Sequence, residues 1–281
     1  MIAILDWLQH AWETICDFVL TTFPLLNLLL MIIAGCLGAL LTGKLKEPLR
    51  DTLLRALGLL VILMGGVELW DGFFVLQTGQ FETVGTVLVI FALIGGYVMG
   101  SAFELDRALG RLGNWLFHRF FKKKATKPAP SAAREHAPSA EGFMLATVVC
   151  AFSSTTIYSI LQGEPTATDG ALPLLVRLGF HVVIFFMLAA LFGSGITLAS
   201  IPVFAVQGIL LVVTSQWGDL ITHTLMNQFR LIGAVILIAT GIALGQGKRV
   251  RAAKFIPAYS IPVIYGLVML WVSKLIETGA A

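Results

Sequence analysis

The sequence predicts an all-α integral membrane protein: about eight transmembrane helices in two parallel pseudo-repeats of four, preceded by an N-terminal amphipathic interfacial helix. Three observations carry this reading. Of the 281 residues, 57% are hydrophobic and only 12% charged, about half the charged share that a soluble domain uses to wet its surface. The apolar residues come in long blocks, many near the roughly 20 residues that cross the hydrocarbon as a helix. Finally, 16 of the 19 Lys and Arg fall in three clusters that an eight-span parse puts on one face of the bilayer.

Residues 1–22 repeat Leu5, Leu8, Trp12, Ile15 and Val19 at spacings of three and four, with Asp6, Gln9, His10, Glu13 and Asp17 largely on the other face. This is the pattern of a helix lying in the interface. The stretch has no Lys or Arg, so it lacks the basic n-region of a cleavable signal peptide, and the mature chain is expected to start near Met1. Spans are predicted at 24–41, 54–70 and 84–102 within region 23–102, then at 142–161 within 141–161. Region 172–276 holds the remaining four, at 172–192, 201–217, 231–245 and 259–276.

Region 103–140 is a basic connection. Its first part puts Leu105, Leu109, Leu112 and Leu116 on one helical face, and its second is a Pro/Ala/Ser tract that reads as a flexible linker. Lys122, Lys123 and Lys124 beside Phe120 and Phe121 suit anionic lipid headgroups or a docking partner, or serve only as a topology anchor. The other basic clusters are Lys44 to Arg55 and Lys248 to Lys254, while the alternating connections carry Glu68, Asp71, Glu164, Asp169 and Asp219. The positive-inside rule makes the basic face cytoplasmic and puts both termini outside. A net charge of +3 therefore reflects loop topology, and no nucleic-acid partner is expected. Cys16, Cys36 and Cys150 have no paired spacing and are assigned no chemistry.

The halves on either side of the linker echo one another. Ala56-Leu57-Gly58-Leu59-Leu60-Val61 answers Val206-Gln207-Gly208-Ile209-Leu210-Leu211, and Gly96-Tyr97-Val98-Met99-Gly100 answers Gly241-Ile242-Ala243-Leu244-Gly245. Matching spans 1–3 to spans 5–7 preserves direction, which makes the repeat parallel. The pairs Gly96/Gly100 and Gly241/Gly245 are small-residue packing motifs, and one in each half predicts that spans 3 and 7 pack along a pseudo-symmetry axis.

In order, Asn27 with Ala34-Gly35-Cys36-Leu37-Gly38, Leu49-Arg50-Asp51-Thr52-Leu53, Leu112-Gly113-Asn114-Trp115-Leu116, Ile201-Pro202-Val203, Gln207-Gly208 and Met226-Asn227-Gln228 resemble the YqgA-like bacterial membrane proteins, domain of unknown function family 554. The resemblance covers about residues 25–265. It implies a multi-pass protein of the bacterial cytoplasmic (inner) membrane and supplies no substrate. Two departures bear on function. Arg177 and His181 stand where the family tends to show a Lys-Ser and an Asp-Gly, and Ser153-Ser154-Thr155-Thr156 stands where it carries Gly-Ala-Met.

Several polar residues fall inside apolar blocks, where an unpaired polar or charged group is expensive. Arg177 and His181 share a face of span 5, with Arg177 either reaching the interface or pairing with Glu68 or Glu164. Ser153, Ser154 and Thr156 lie near the middle of span 4, where hydroxyls either bend the helix and expose carbonyls to a ligand or bind a neighbouring helix. Gln207 has the apolar Leu57 as its repeat counterpart, which favours a specific partner. Asn27 sits near the outer end of span 1, within reach of the interface. Gly193-Ser194-Gly195 reads as a hinge. No metalloprotease His pair, intramembrane carboxylate pair or serine-hydrolase elbow is present, and neither enzyme nor cofactor is expected. The set Arg177, His181, Ser153, Ser154, Thr156, Gln207 and Asn27 instead suggests a transporter-like or channel-like protein for a small polar solute, an anion among the candidates. A membrane scaffold docking a partner through the basic connection is the alternative, and a homo-oligomer stays open.

Overall fold

A computed structural model describes residues 24–75, 80–81, 83–120, 138–161, 172–218, 221–247 and 251–279. The predicted interfacial helix at 1–22, the Lys122 to Lys124 run and the predicted linker up to residue 137 lie outside the described residues, while its last two residues, Pro138 and Ser139, are helical.

Among the described residues the regular structure is helical, apart from a two-residue antiparallel ladder in which Phe74 pairs with Phe81 and Val75 with Gln80. In chain order the helices are α1 (Pro24–Ala39), α2 (Glu47–Phe73), α3 (Thr83–Ala102), α4 (Leu105–Phe120), α5 (Pro138–Ala151) and α6 (Ser154–Leu161). They continue with α7 (Leu172–Phe192), α8 (Ser200–Trp217), α9 (His223–Gly245) and α10 (Ser260–Gly279), and short 3₁₀ segments, Ser194–Ala199 and Ala252–Tyr259, lead into α8 and α10.

Five segments are long and apolar enough to cross a bilayer unaided: Glu47–Phe73, Leu175–Phe192, Ser194–Trp217, His223–Gly245 and Ala252–Met269. Together α3 and α4 make a sixth candidate, bent by 56°. This is fewer than the eight spans expected from hydropathy, for two physical reasons. As described, α1 begins at Pro24 and is too short for a full crossing. The predicted span 142–161 is broken at Phe152-Ser153 into α5 and the eight-residue α6.

Other boundaries also moved. The predicted span 231–245 begins earlier, at His223, because Thr222 caps it: its hydroxyl accepts from Leu225 N at 3.2 Å. The amphipathic stretch after α3 is helical as α4, but the residues it turns inward are Leu105, Leu109, Gly113 and Leu116, while Leu112 faces out. Gly113 lies flat on the Phe143 ring, with no room there for a Cβ.

The core is organised around α5, which is apolar all round, and all of its residues from Gly142 to Ala151 are buried. It is packed against α4, α7, α8 and both 3₁₀ segments. To one side, α2 and α9 form the longest seam of the fold, closed by glycines. A Cβ on Gly58 would sit 2.7 Å from Gly241 O, and one on Gly241 would sit 2.6 Å from Gly58 O. Gly96 and Gly100 of α3 press instead on the backbone of Ala258 and Lys254. Helices α3 and α9 do touch, but the predicted pairing of their glycine motifs is not what joins them. Gly208, which the predicted repeat matches to Gly58, has nothing within 4 Å of where its Cβ would be, so that part of the expected repeat has no counterpart to the seam.

Among the described residues four have left-handed backbone: Gly43, Glu104, Gly193 and Gly247. Each follows the end of a helix, α1, α3, α7 and α9 in turn, at the end of the bundle that carries the basic turns.

Candidate functional site

The broken span is stabilised at the break by polar groups, because a helix end buried in apolar surroundings must find partners for its freed amides and carbonyls. Ser153 acts as N-cap of α6, its Oγ accepting from Thr156 N at 3.3 Å. On the carbonyl side, Thr156 Oγ1 donates to Cys150 O at 2.8 Å and the Tyr259 hydroxyl donates to Phe152 O at 2.7 Å. Gly233 of α9 lies directly against the Ser154 backbone, where no side chain would fit.

From the break a hydrogen-bonded chain runs through three further helices. Thr156 Oγ1 lies 3.1 Å from His181 Nε2 on α7, and His181 Nδ1 lies 3.0 Å from Asn27 Oδ1 on α1. Asn27 Nδ2 donates to Gln207 Oε1 on α8 at 3.1 Å. Ser153, Thr156, His181, Asn27 and Gln207 are all buried. Four sequence-distant blocks thus deliver their polar residues to one place. Asn27 is the largest departure from expectation: it sits inside, fully buried between His181 and Gln207.

With the Asn27 amide nitrogen on Gln207, Asn27 Oδ1 accepts from His181 Nδ1, which leaves Nε2 facing the Thr156 hydroxyl.

Arg177 is itself buried, at 2% exposure. Ser154 Oγ and Gln207 Nε2 are buried and have no hydrogen-bond partner among the described residues. Among those residues, no cluster of three His, Cys, Asp or Glu is placed to hold a metal ion.

One residue that sequence reasoning missed is Arg230. Its Nε donates to Glu68 Oε2 at 2.6 Å and its Nη2 to Asp71 Oδ2 at 2.7 Å, while its Cζ lies 4.5 Å from the Tyr158 ring centre. It ties the ends of α2 and α9 to α6, where Glu68 was expected to serve Arg177. The signal was Glu68 and Asp71 three apart on one helical face, a pair that calls for a cation. Starting span 7 at residue 231 left Arg230 in a loop.

The same residues can be set against known proteins. The family model described as "Protein of unknown function (DUF554)" matches residues 22–267. The chain belongs to this family. Two DUF554-type relatives span nearly all of it: the uncharacterized membrane protein YdfK of Bacillus subtilis (strain 168), 22% identical over 83% of this chain and 91% of its own length, and the uncharacterized protein YqgA of Escherichia coli (strain K12), 23% identical over 84% and 92%. No solved structure matches. DUF554 membership and the apolar helices make this a membrane protein, and the matched region contains the whole polar chain and the break.

Proposed function

We propose that this protein is transporter-like or channel-like and conducts a small polar solute, anions foremost, past the break between α5 and α6. The observation that carries the reading is the buried polar chain from α1, α6, α7 and α8 meeting at an interrupted membrane segment, an arrangement that suits a substrate site built from discontinuous helices. The donors Gln207 Nε2 and Ser154 Oγ and the positive end of the α6 dipole favour an acceptor or an anion, and the charge of the buried Arg177, one turn before His181, acts in the same sense. Around that site we further propose eight crossings, with α1 and the α5/α6 pair counted as spans, in two parallel halves. The protein would lie in a bacterial inner membrane with both termini outside.

Purified protein in liposomes, tested with a panel of small organic acids and inorganic anions, should show flux that Arg177→Ala and Gln207→Ala reduce at unchanged expression. Normal flux in both variants overturns the site. Absence of flux and of any metabolite-induced rise in melting temperature, together with a stoichiometric co-purifying protein, overturns transport in favour of a scaffold.

A further inference from the structure

Behind α6, on the side away from the polar chain, lies a cavity of about 860 Å³ walled by α6, α8, α9 and α10. Its lining is almost wholly apolar and includes Ile157, Val206, Leu210, Val213, Leu225 and Phe229. The wall of Ile157, Leu161 and Phe229 forms a hydrophobic cluster separate from the main core. Its polar lining is confined to Gln228, Thr222, Thr224, Tyr259, Ser260 and Tyr265, of which the hydroxyls of Tyr259, Ser260 and Thr222 already bond to backbone. Water entering would therefore find few partners, yet the space is several times the roughly 150 Å³ of an apolar cavity that stays empty in a protein.

The dimensions point to an occupant. Along α8 the lining runs from Val206, near the level of the break, to Trp217 at the helix end. The eleven steps between them rise about 16 Å, close to the ~15 Å of hydrocarbon in one leaflet. At the far end, Trp217, Thr222 and Thr224 line the rim, a Trp and two hydroxyls of the kind found where chains meet headgroups. That end is the one opposite the basic turns.

We propose that this cavity is a binding site for an acyl chain of a membrane phospholipid, drawn from the leaflet opposite the basic loops, with its headgroup at the Trp217 and Thr222 rim. The chain packs against Phe152, Ile157 and Leu161 and so holds the half-helix α6 from behind, while Thr156 holds it to the polar chain in front.

The test uses the full-length protein in nanodiscs of phosphatidylethanolamine and phosphatidylglycerol doped with a phospholipid bearing a diazirine at mid-chain. After irradiation, adducts on Val206, Leu210 and Leu225 should exceed those on Ile209, Val212 and Ile264, which are exposed on α8 and α10, by several-fold. Leu210→Trp, or Val213→Phe if the first fails to fold, should fill the cavity and lower adducts on Leu225 several-fold while leaving Ile209 labelled as before. Equal labelling of both sets in the unaltered protein overturns the proposal, as does labelling that persists in the filled variant. Labelling by a photoreactive free fatty acid but not by the phospholipid overturns the source.

Discussion

Thr156 is the residue on which the polar chain turns, since its one hydroxyl is within bonding distance of Ser153 Oγ, Cys150 O and His181 Nε2. Thr156→Val should lower stability by about 1–3 kcal/mol, because it strands buried partners, whereas Thr156→Ser should recover most of the loss. Melting in detergent measures both. That these residues would be important was legible in sequence: a Gln, His, Asn or hydroxyl run inside an apolar block must find a partner. Which residue each one meets was not legible, because Asn27 and Gln207 lie 180 positions apart and only the assembled bundle joins them. A second prediction at this scale concerns Asp106 of α4, which lies beyond the α3 bend. Burial raises its carboxyl pKa and outweighs the lowering by Lys254, Arg251 and the Ala253 amide. The folded chain then binds more protons than the unfolded one just above the ordinary carboxylate range, so stability falls as pH rises through that window. Asp106→Asn should flatten this slope in melting curves recorded against pH.

At the scale of elements, the glycine seam between α2 and α9 makes a paired prediction. Gly58→Leu should cost stability and expression, since backbone rather than a flexible side chain meets the added carbon. Gly208→Leu, at the position the sequence matches to Gly58, should be tolerated because its surroundings are open. Comparing melting temperatures of the two variants tests the difference. The salt-bridged end of the same helices gives another prediction. Arg230 and Glu68 are largely buried, at 16% and 12% side-chain exposure, so Arg230→Ala should lower stability by about 1.5–3 kcal/mol. Glu68→Gln in that background should restore part of it, which a double-mutant cycle measures. Helix α7 was legible to the residue because an unbroken apolar run has only one reading. The break in α5/α6 was not, since 142–161 is nearly as apolar and hydropathy does not see which way a backbone turns. The capping Ser153 and the hydroxyls after it were the only local sign.

For the molecule as a whole, the three basic clusters imply an orientation that can be read directly. Single cysteines at Lys46 and Lys254 should react with a membrane-impermeant maleimide only after cells are opened, and one at Thr222 should react in intact cells. Four residues with left-handed backbone follow helix ends at the basic end, and Gly208 has open surroundings where Gly58 meets backbone, so the two stretches matched in the sequence pack differently. Composition made the membrane class plain from the start. The number of crossings was less plain, because α5 satisfies its apolar residues with protein rather than with lipid.

That enclosure bears on how the chain is made. A ribosome synthesises α5 after α4 but before α7, α8 and the two 3₁₀ segments that come to surround it. Until those arrive, a helix of 14 residues, shorter than a bilayer is thick, has only α4 of its final neighbours and lacks the length to settle alone. Its stable placement should therefore wait on the second half of the chain. A truncation anywhere before α8 removes not only the missing spans but also the walls of one already translated.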